Sequence, residues 1–274
     1  MADEFAIRAL LTTPTVAIRD VACRGSCGAR TAEEATGRLH LVFPYRGVYV
    51  RHLGNDAAVA DANQVLFFNP AQGYRVSHPV HGGDACLDAV IDDEVLRELA
   101  PRALVRGGAV LAFGRHRLNL DPRSQARVAR LRHGLGCGAL EPLEAEGLAL
   151  ALVGRALGAA TVRPGGGTGQ RLVDRAKLVL AGDLSRRWTL TEVAAEVAAT
   201  PVYLTQLFQQ VEGVPLYRYQ LRLRLARGLA LLDRHPDLSA LALELGFSSH
   251  SHFSAAFRQA YGHTPSAFRR AALG

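Results

Sequence analysis

Two short segments hold side chains able to do soft-metal or thiol chemistry. "CRGSC" carries Cys23 and Cys27, and "HPVHGGDAC" carries His78, His81 and Cys86. Zn²⁺ takes thiolate and imidazole ligands in tetrahedral sets. These five residues are therefore the candidate metal ligands, and zinc is the only cofactor to consider; none is otherwise expected. The same thiols are candidates for redox sensing. The competing reading is a set of small buried cysteines beside histidines at a domain rim, because the spacings do not form a paired C-x-x-C zinc site. "HPVHGGD" supplies two imidazoles and a carboxylate, the ligand types of a metalloenzyme, but no second His motif follows. No catalytic residue is assigned.

A second chemistry is legible near the end of the chain. In "LGFSSHSHFSAAFRQAYGHTPSAFRR" the rings Phe247, Phe253, Phe257 and Tyr261 recur at mostly helical spacing, as on a buried face. Between them lie small polar residues, histidines and arginines, types suited to base edges and phosphates in a DNA groove.

The chain has 274 residues and a net charge of +7, with 49% hydrophobic residues, enough for a sizeable core in one or two domains. The charge is uneven. From residue 171 onward there are 13 Lys and Arg against 8 Asp and Glu; the first 170 residues hold 19 against 17. A pI near 9.7 with the excess at the C-terminus suggests a nucleic-acid partner. Arginine bias is the competing explanation, since Lys177 is the only lysine. No stretch is apolar enough for long enough to span a bilayer. "MADEFAIRAL" lacks the basic start and apolar run of a signal peptide. The expectation is a cytoplasmic protein, with no membrane partner and with reduced cysteines.

The elements that position these residues divide the chain. "TVAIRDVA", "HLVFPYRGVYVRHL", "NQVLFFN", "GYRVSH" and "DACLDAVID" are short runs rich in β-branched and aromatic residues, punctuated by turn formers. They predict a sandwich or barrel. "DDEVLRELA", "DPRSQARVARLRHGL" and "EPLEAEGLALALVGRALGAA" read as helices that either cover the barrel or mediate dimerisation. "TVRPGGGTGQ" is a glycine-rich linker, and it lacks the Gly-Lys-Ser/Thr of a phosphate-binding loop.

Beyond the linker all segments read helical, and a duplication is visible. Val193, Ala194 and Val197 match Leu241, Ala242 and Leu245 at an offset of 48, while Leu204, Phe208, Gly213 and Tyr219 match Phe253, Phe257, Gly262 and Phe268 at 49. Each copy predicts a short helix opened by Thr191 or Ser239, a tight turn, a second cap at Thr200 or Ser249, and a helix with one apolar stripe. That is the helix-turn-helix outline, twice. Between the copies lies a helix of nearly twenty residues, about 30 Å long.

"LTEVAAEVAATPVYLTQLFQQVEGVPLYRYQLRLRLARGLALL" and "LSALALELGFSSHSHFSAAFRQAYGHTPSAFRR" resemble the AraC/XylS family of bacterial transcription regulators. The barrel-like front, with "FPYRGVYVRH" and "DANQVLFFNPAQGYRVSHPVHGGDAC", is similar to the cupin-type sensory domain that many of them carry. The resemblance implies an α+β multidomain fold: an N-terminal cupin-like β-barrel with flanking helices over residues 1–159, a linker at 160–170, and an all-α double helix-turn-helix at 171–274. It implies a homodimer that binds double-stranded DNA through the major groove, engages RNA polymerase, responds to a small-molecule effector and catalyses nothing.

The first recognition helix is then Pro201–Val211, presenting Val202, Tyr203, Thr205, Gln206, Gln209 and Gln210. The second is His250–Tyr261, presenting His250, Ser251, Ser254, Ala255 and Arg258. The family often has Arg or Lys near Gln206, Gln209 and Gln210; neutrality here places more phosphate anchoring on Arg218, Arg222 and Arg224 of the intervening helix, and Arg258, Arg269 and Arg270 are further candidate phosphate contacts. The family also commonly has Gln near His250 and Arg near Ala255, so the second helix departs from the family's base-reading pattern at both positions. Candidate effector contacts are Tyr45, Arg46, Tyr49, Arg51, Tyr74 and His78. The alternatives are a metal- or thiol-responsive regulator built on Cys23, Cys27 and Cys86, and a cupin-type metalloenzyme fused to a DNA-binding module.

Overall fold

The computed structural model describes residues 5–25, 28–106, 110–158 and 168–273. The chain forms two compact units, Met1–Ala160 with Arg270–Gly274, and Thr161–Arg269.

Among the described residues of the first unit, nine strands form two antiparallel sheets. The larger sheet has six: β1 (Phe5–Thr12), β2 (Val16–Cys23), β8 (Asp84–Ile91), β3 (His40–Arg46), β6 (Gln64–Phe68) and β9 (Arg117–Asn119), in that spatial order. The smaller has β5 (Asp56–Ala60), β4 (Tyr49–Leu53) and β7 (Arg75–Ser77). The hydrogen-bonded ladders remain two sheets and do not join into one closed ring among the described residues.

The central strands β3, β6 and β8 of the larger sheet are buried on both faces, and alternation sends their side chains into two cores. Leu41 and Phe43, Val65 and Phe67, and Leu87, Ala89 and Ile91 share one core with Val128, Leu131, Leu152, Val153 and Leu157. Those last five belong to α2 (Pro122–Gly136) and α3 (Pro142–Gly158), so both helices cover the sheet. The intervening residues Val42, Leu66, Phe68 and Cys86 form a second core with Tyr49 and Ala60 of the smaller sheet. Local signals act as expected at α2: Asp121 accepts the Ser124 amide at 2.8 Å, and Pro122 occupies the first turn. A short helix, α1 (Asp93–Leu99), follows β8 under an Asp92 cap. The edge strand β1 was not among the expected strands; it is mostly exposed, so it lacks the apolar alternation that marks the others.

Of the expected linker, residues up to 167 lie outside the described residues, and α4 (Thr168–Gly182) opens directly after them. The second unit continues with α5 (Leu190–Glu196), α6 (Pro201–Glu212), α7 (Leu216–Leu231), α8 (Leu238–Glu244), α9 (His250–Tyr261) and, as far as Arg269, α10 (Pro265–Leu273). The duplicated positions share their environments. Val193, Ala194, Val197, Leu204, Phe208 and Tyr219 are buried, as are Leu241, Ala242, Leu245, Phe253, Phe257 and Phe268. Gly213 and Gly262 both end their helices in the left-handed region.

Two expectations need correction. The short helices are capped two residues earlier than Thr191 and Ser239. Thr189 accepts the Glu192 amide while Glu192 returns to the Thr189 amide, and Asp237 accepts the amides of Ser239 and Ala240. A hydroxyl or carboxylate reaches forward to free amides, so the cap precedes the first helical residue. The intervening helix α7 has 16 residues, shorter than the expected length, and spans about 24 Å.

Candidate nucleic-acid interface

The turn inside each copy is the same device. Ala198 and Gly246, 48 residues apart, have φ of 53° and 79°. The next residue's amide then reaches back into the short helix: Ala199 to the Ala194 carbonyl at 2.9 Å, and Phe247 to the Ala242 carbonyl at 3.0 Å. The second copy has one more residue before its cap, which is why the repeat offset rises from 48 to 49. Thr200 accepts the Tyr203 amide at 3.2 Å and Ser249 the His252 amide at 3.1 Å, opening α6 and α9.

Two different cores fix these helices. On α4, the side chain of Lys177 is fully buried, ion-paired with Glu212 at the end of α6 and 3.7 Å from Asp174. Its ammonium also lies 5.3 Å from the Tyr219 ring centroid on α7. The only lysine thus holds three helices together from inside the domain. In the second copy the anchors are aromatic. Phe247–Phe253, Phe253–Phe257 and Phe257–Tyr261 centroids lie 5.2, 5.6 and 4.6 Å apart.

The positions expected to face outward on α6 and α9 are mostly exposed. Val202, Tyr203, Thr205, Gln206, Gln209 and Gln210 are all exposed on α6, with Leu204 and Phe208 buried beneath them. On α9, His250, Ser251, Ala255 and Arg258 are exposed and Ser254 is half-buried. Several of these groups bond locally. The Thr205 hydroxyl donates to the Pro201 carbonyl, Gln209 Nε2 to the Gly213 carbonyl, and Ser254 Oγ lies 3.2 Å from His250 Nε2. Gln206 stands exposed at the centre of the α6 face. His252 packs its ring against Phe247, centroids 5.3 Å apart, consistent with a structural role.

The arginines expected to contact phosphate divide. Arg218 is exposed beside the Tyr217 hydroxyl, Arg222 is half-buried, and Arg258 and Arg270 are exposed. Arg224 and Arg269 are different. Arg224 donates to the carbonyls of Leu184, Arg186 and Gly246 at 2.6, 2.7 and 3.2 Å, and burial pulls its pKa down. It clamps the loop before α5 to the turn of the second copy. Arg269 donates to the carbonyls of His235 and Pro236. Arg186 stacks over Trp188 and pairs with Glu192. The Thr189 hydroxyl and amide, then Arg186, hold the Glu192 carboxyl down at about 2. Much of the basic excess is therefore structural.

In the first unit a cavity of about 210 Å³ opens between the two sheets. Of the candidate effector contacts, Tyr49, Tyr74 and His78 line it. Tyr45, Arg46 and Arg51 do not. The Tyr45 hydroxyl donates to Asp20 at 2.6 Å, and Arg46 donates to the Asp84 carbonyl. Arg51 is buried, donates to the Phe67 and His116 carbonyls, and has its pKa pulled to about 10 by burial. Alternation turns Tyr45 away from the Val42 face, a register shift between Pro44 and Arg46 turns Arg46 away as well, and Arg51, which shares the parity of Tyr49, is held instead by the two carbonyls. The cavity also holds a group not foreseen: Asp88, bonded by Arg19 with Nε at 2.9 Å and with His40 Nδ1 2.9 Å away. Its signal was available, because Asp84, Cys86 and Asp88 occupy alternate positions of the otherwise apolar β8.

The five candidate metal ligands do not all converge. Cys23 and His78 come together with Asp84, and all three are buried. Cys86 lines the cavity outside that group, His81 is exposed, and Cys27 lies outside the described residues.

Residues 193–271 match a family model described as a helix-turn-helix domain. The regulatory protein PocR of Salmonella typhimurium is 36% identical over 89 residues, 32% of this chain and 29% of PocR. The transcriptional activator RhaR of Enterobacter is 30% identical over 112 residues, 40% of this chain and 39% of RhaR. The match thus spans about a third of the length of these curated relatives. A crystal structure of ToxT from Vibrio cholerae covers 93% of this chain and 95% of its own, at 11% identity and a TM-score of 0.38. No helix among the described residues is long and apolar enough to cross a membrane.

Proposed function

The C-terminal domain is of the AraC/XylS type, and from that premise we propose that the chain is a sequence-specific, DNA-binding transcription regulator whose N-terminal domain senses a small molecule. The observation that carries this reading is the repeated turn at Ala198 and Gly246. It sets two helices with buried apolar stripes and small, polar outer faces into one domain. One unit packs on each half of α7: Phe208 against Tyr219, and Phe253 against Gly228. A monomer therefore offers two reading helices to successive major-groove segments.

The outer face of α6 is uncharged, so it reads more than it anchors. Gln206 pairs with adenine through its amide and Val202 meets a thymine methyl. On α9, His250 and Arg258 anchor, while Ala255 contributes only apolar contact. Anchoring falls to few cations, among them Arg187, Arg218, Arg258 and Arg270, all exposed. The cavity between the sheets is the effector site, lined by Val21, Val42, Phe68 and Val76 with polar groups from His40, His78 and Asp88. The protein works in the cytoplasm as a dimer, engages RNA polymerase and performs no covalent chemistry.

Mapping bound sites across the source genome supplies the operator, and its affinity is then measured against salt. About four to seven displaced counterions predict a log–log slope of about −4 to −6. Gln206→Ala weakens the preferred sequence by about 1–3 kcal/mol and spares variants at one base pair. A flat salt response, or no preferred site, overturns the reading.

A further inference from the structure

We propose that Cys23, His78 and Asp84 form a binding site for a borderline-soft divalent cation, Zn²⁺ above all. Backbone pairing brings two of the ligands together. Cys23 ends β2 and Asp84 begins β8, and the two are directly paired in the antiparallel ladder, so their side chains leave the same face. His78 arrives from the end of β7. One ligand atom from each residue lies within 4.8 Å of the other two. His78 Nε2 is 3.0 Å from Asp84 Oδ2. Tetrahedral zinc bonds of about 2.0–2.3 Å place ligand atoms roughly 3.3–3.8 Å apart, so small movements close the set around an ion.

Three further features mark a built site. First, all three residues are buried, at 2, 5 and 6% exposure, where charge demands a partner. Despite its closeness to His78, Asp84 Oδ2 has no well-directed hydrogen bond. Second, the loop bearing Asp84 is pressed onto Cys23. Gly83 has φ of 67°, and a Cβ there would stand 2.2 Å from the Cys23 carbonyl oxygen. Third, Cys23 Sγ accepts the Gly25 amide at 3.3 Å, and the rings of Phe5 and Tyr49 lie 6.3 and 6.4 Å from that of His78.

The donor set selects the ion. Thiolate and carboxylate carry two negative charges, which a dication cancels. Sulfur and nitrogen donors exclude Mg²⁺ and Ca²⁺, which take oxygen. Three protein ligands leave a fourth position for water or an effector atom, since His78 and Asp84 line the cavity. Cys86 stays outside the set: it lines the cavity, and its sulfur is not among the three ligand atoms that converge. The site stands whether or not the chain binds DNA; its use as an input to transcription rests on the regulator reading.

Cobalt titration of the reduced, metal-stripped full chain tests this directly. Wild-type protein should bind one Co²⁺ with a thiolate-to-metal charge-transfer band that Zn²⁺ displaces. The triple variant Cys27→Ser, Cys86→Ser, Cys137→Ser leaves Cys23 native and should keep the band. Cys23→Ser should lose it and bind zinc more than about 100-fold more weakly, with His78→Gln and Asp84→Asn weaker by about 10- to 100-fold. Absence of the band in wild type, its loss in the triple variant, or equal zinc affinity in all variants overturns the site. Zinc should also raise the melting temperature of wild type and of the triple variant.

Discussion

The two helix-turn-helix copies reach one backbone by different chemistry. The first is anchored by a buried ion pair, Lys177 with Glu212, set against Tyr219. The second is anchored by a run of aromatic rings from Phe247 to Tyr261. The outer faces differ in the same sense, with bulky Val202, Tyr203 and Gln206 on α6 against small Ser251, Ser254 and Ala255 on α9. A buried ion pair demands its partner geometrically, so it fixes how α4, α6 and α7 meet. Aromatic packing is less directional and derives its strength from buried area. The copy with the bulkier outer face is thus held by the more geometrically specific anchor.

The largest effects should come from removing either anchor. Trp188 is the only tryptophan and its indole donates to the Asp183 carbonyl in the second unit, so its fluorescence follows unfolding there. In urea titrations, Phe257→Ala should cost about 3–5 kcal/mol. Lys177→Ala should cost a similar amount, about 3–5 kcal/mol, because Glu212 is left buried without its cation. The contrast sharpens with a rescue. Lys177→Met combined with Glu212→Met should recover at least half of that loss, since an apolar pair needs no counter-charge. No recovery would mean that the lysine acts by shape and not by charge.

These anchors also show how far the sequence could be read. The duplication, the caps at Thr200 and Ser249, and both recognition helices follow from local periodicity and from hydroxyls at helix starts. The buried role of Lys177 was also visible in principle. It follows Val173 by four residues on a stripe that includes Ala176 and Leu180. Charge composition hid it, because a lysine in a basic domain reads as a phosphate contact. Arg224 and Arg269 were obscured likewise, since their backbone acceptors lie 22 to 40 residues away. In the first unit, alternation identified the central strands but not the edge strand β1. The meeting of Cys23 with Asp84 depends on strand register across about sixty residues, which no local pattern encodes.

The turns test whether the copies are equivalent at the backbone. Gly246 sits under Ser185, whose carbonyl oxygen would lie 2.3 Å from an added Cβ. Gly246→Ala should therefore cost about 2–4 kcal/mol: about 1–2 for the left-handed conformation and the rest for displacing that loop. The Arg224 clamp on the same carbonyls should loosen with it, visible as faster amide exchange in residues 184–186. A loss below about 1 kcal/mol would show that the loop yields freely.

Ala198 is the matched position in the first copy, with φ of 53° but a side chain already present and exposed. No clash has to be relieved there, so only the conformational term remains. Ala198→Gly removes the strain of about 1–2 kcal/mol that a Cβ pays in the left-handed region, and it loosens the unfolded chain by about 0.4–1 kcal/mol. The net expectation is a gain of up to about 1.5 kcal/mol, read by Trp188 fluorescence in urea. The opposite signs of Ala198→Gly and Gly246→Ala distinguish a shared turn geometry from a difference in surroundings. If Ala198→Gly destabilises by more than about 1 kcal/mol, the methyl group of Ala198 contributes contacts, and the first turn is held by packing that the second lacks.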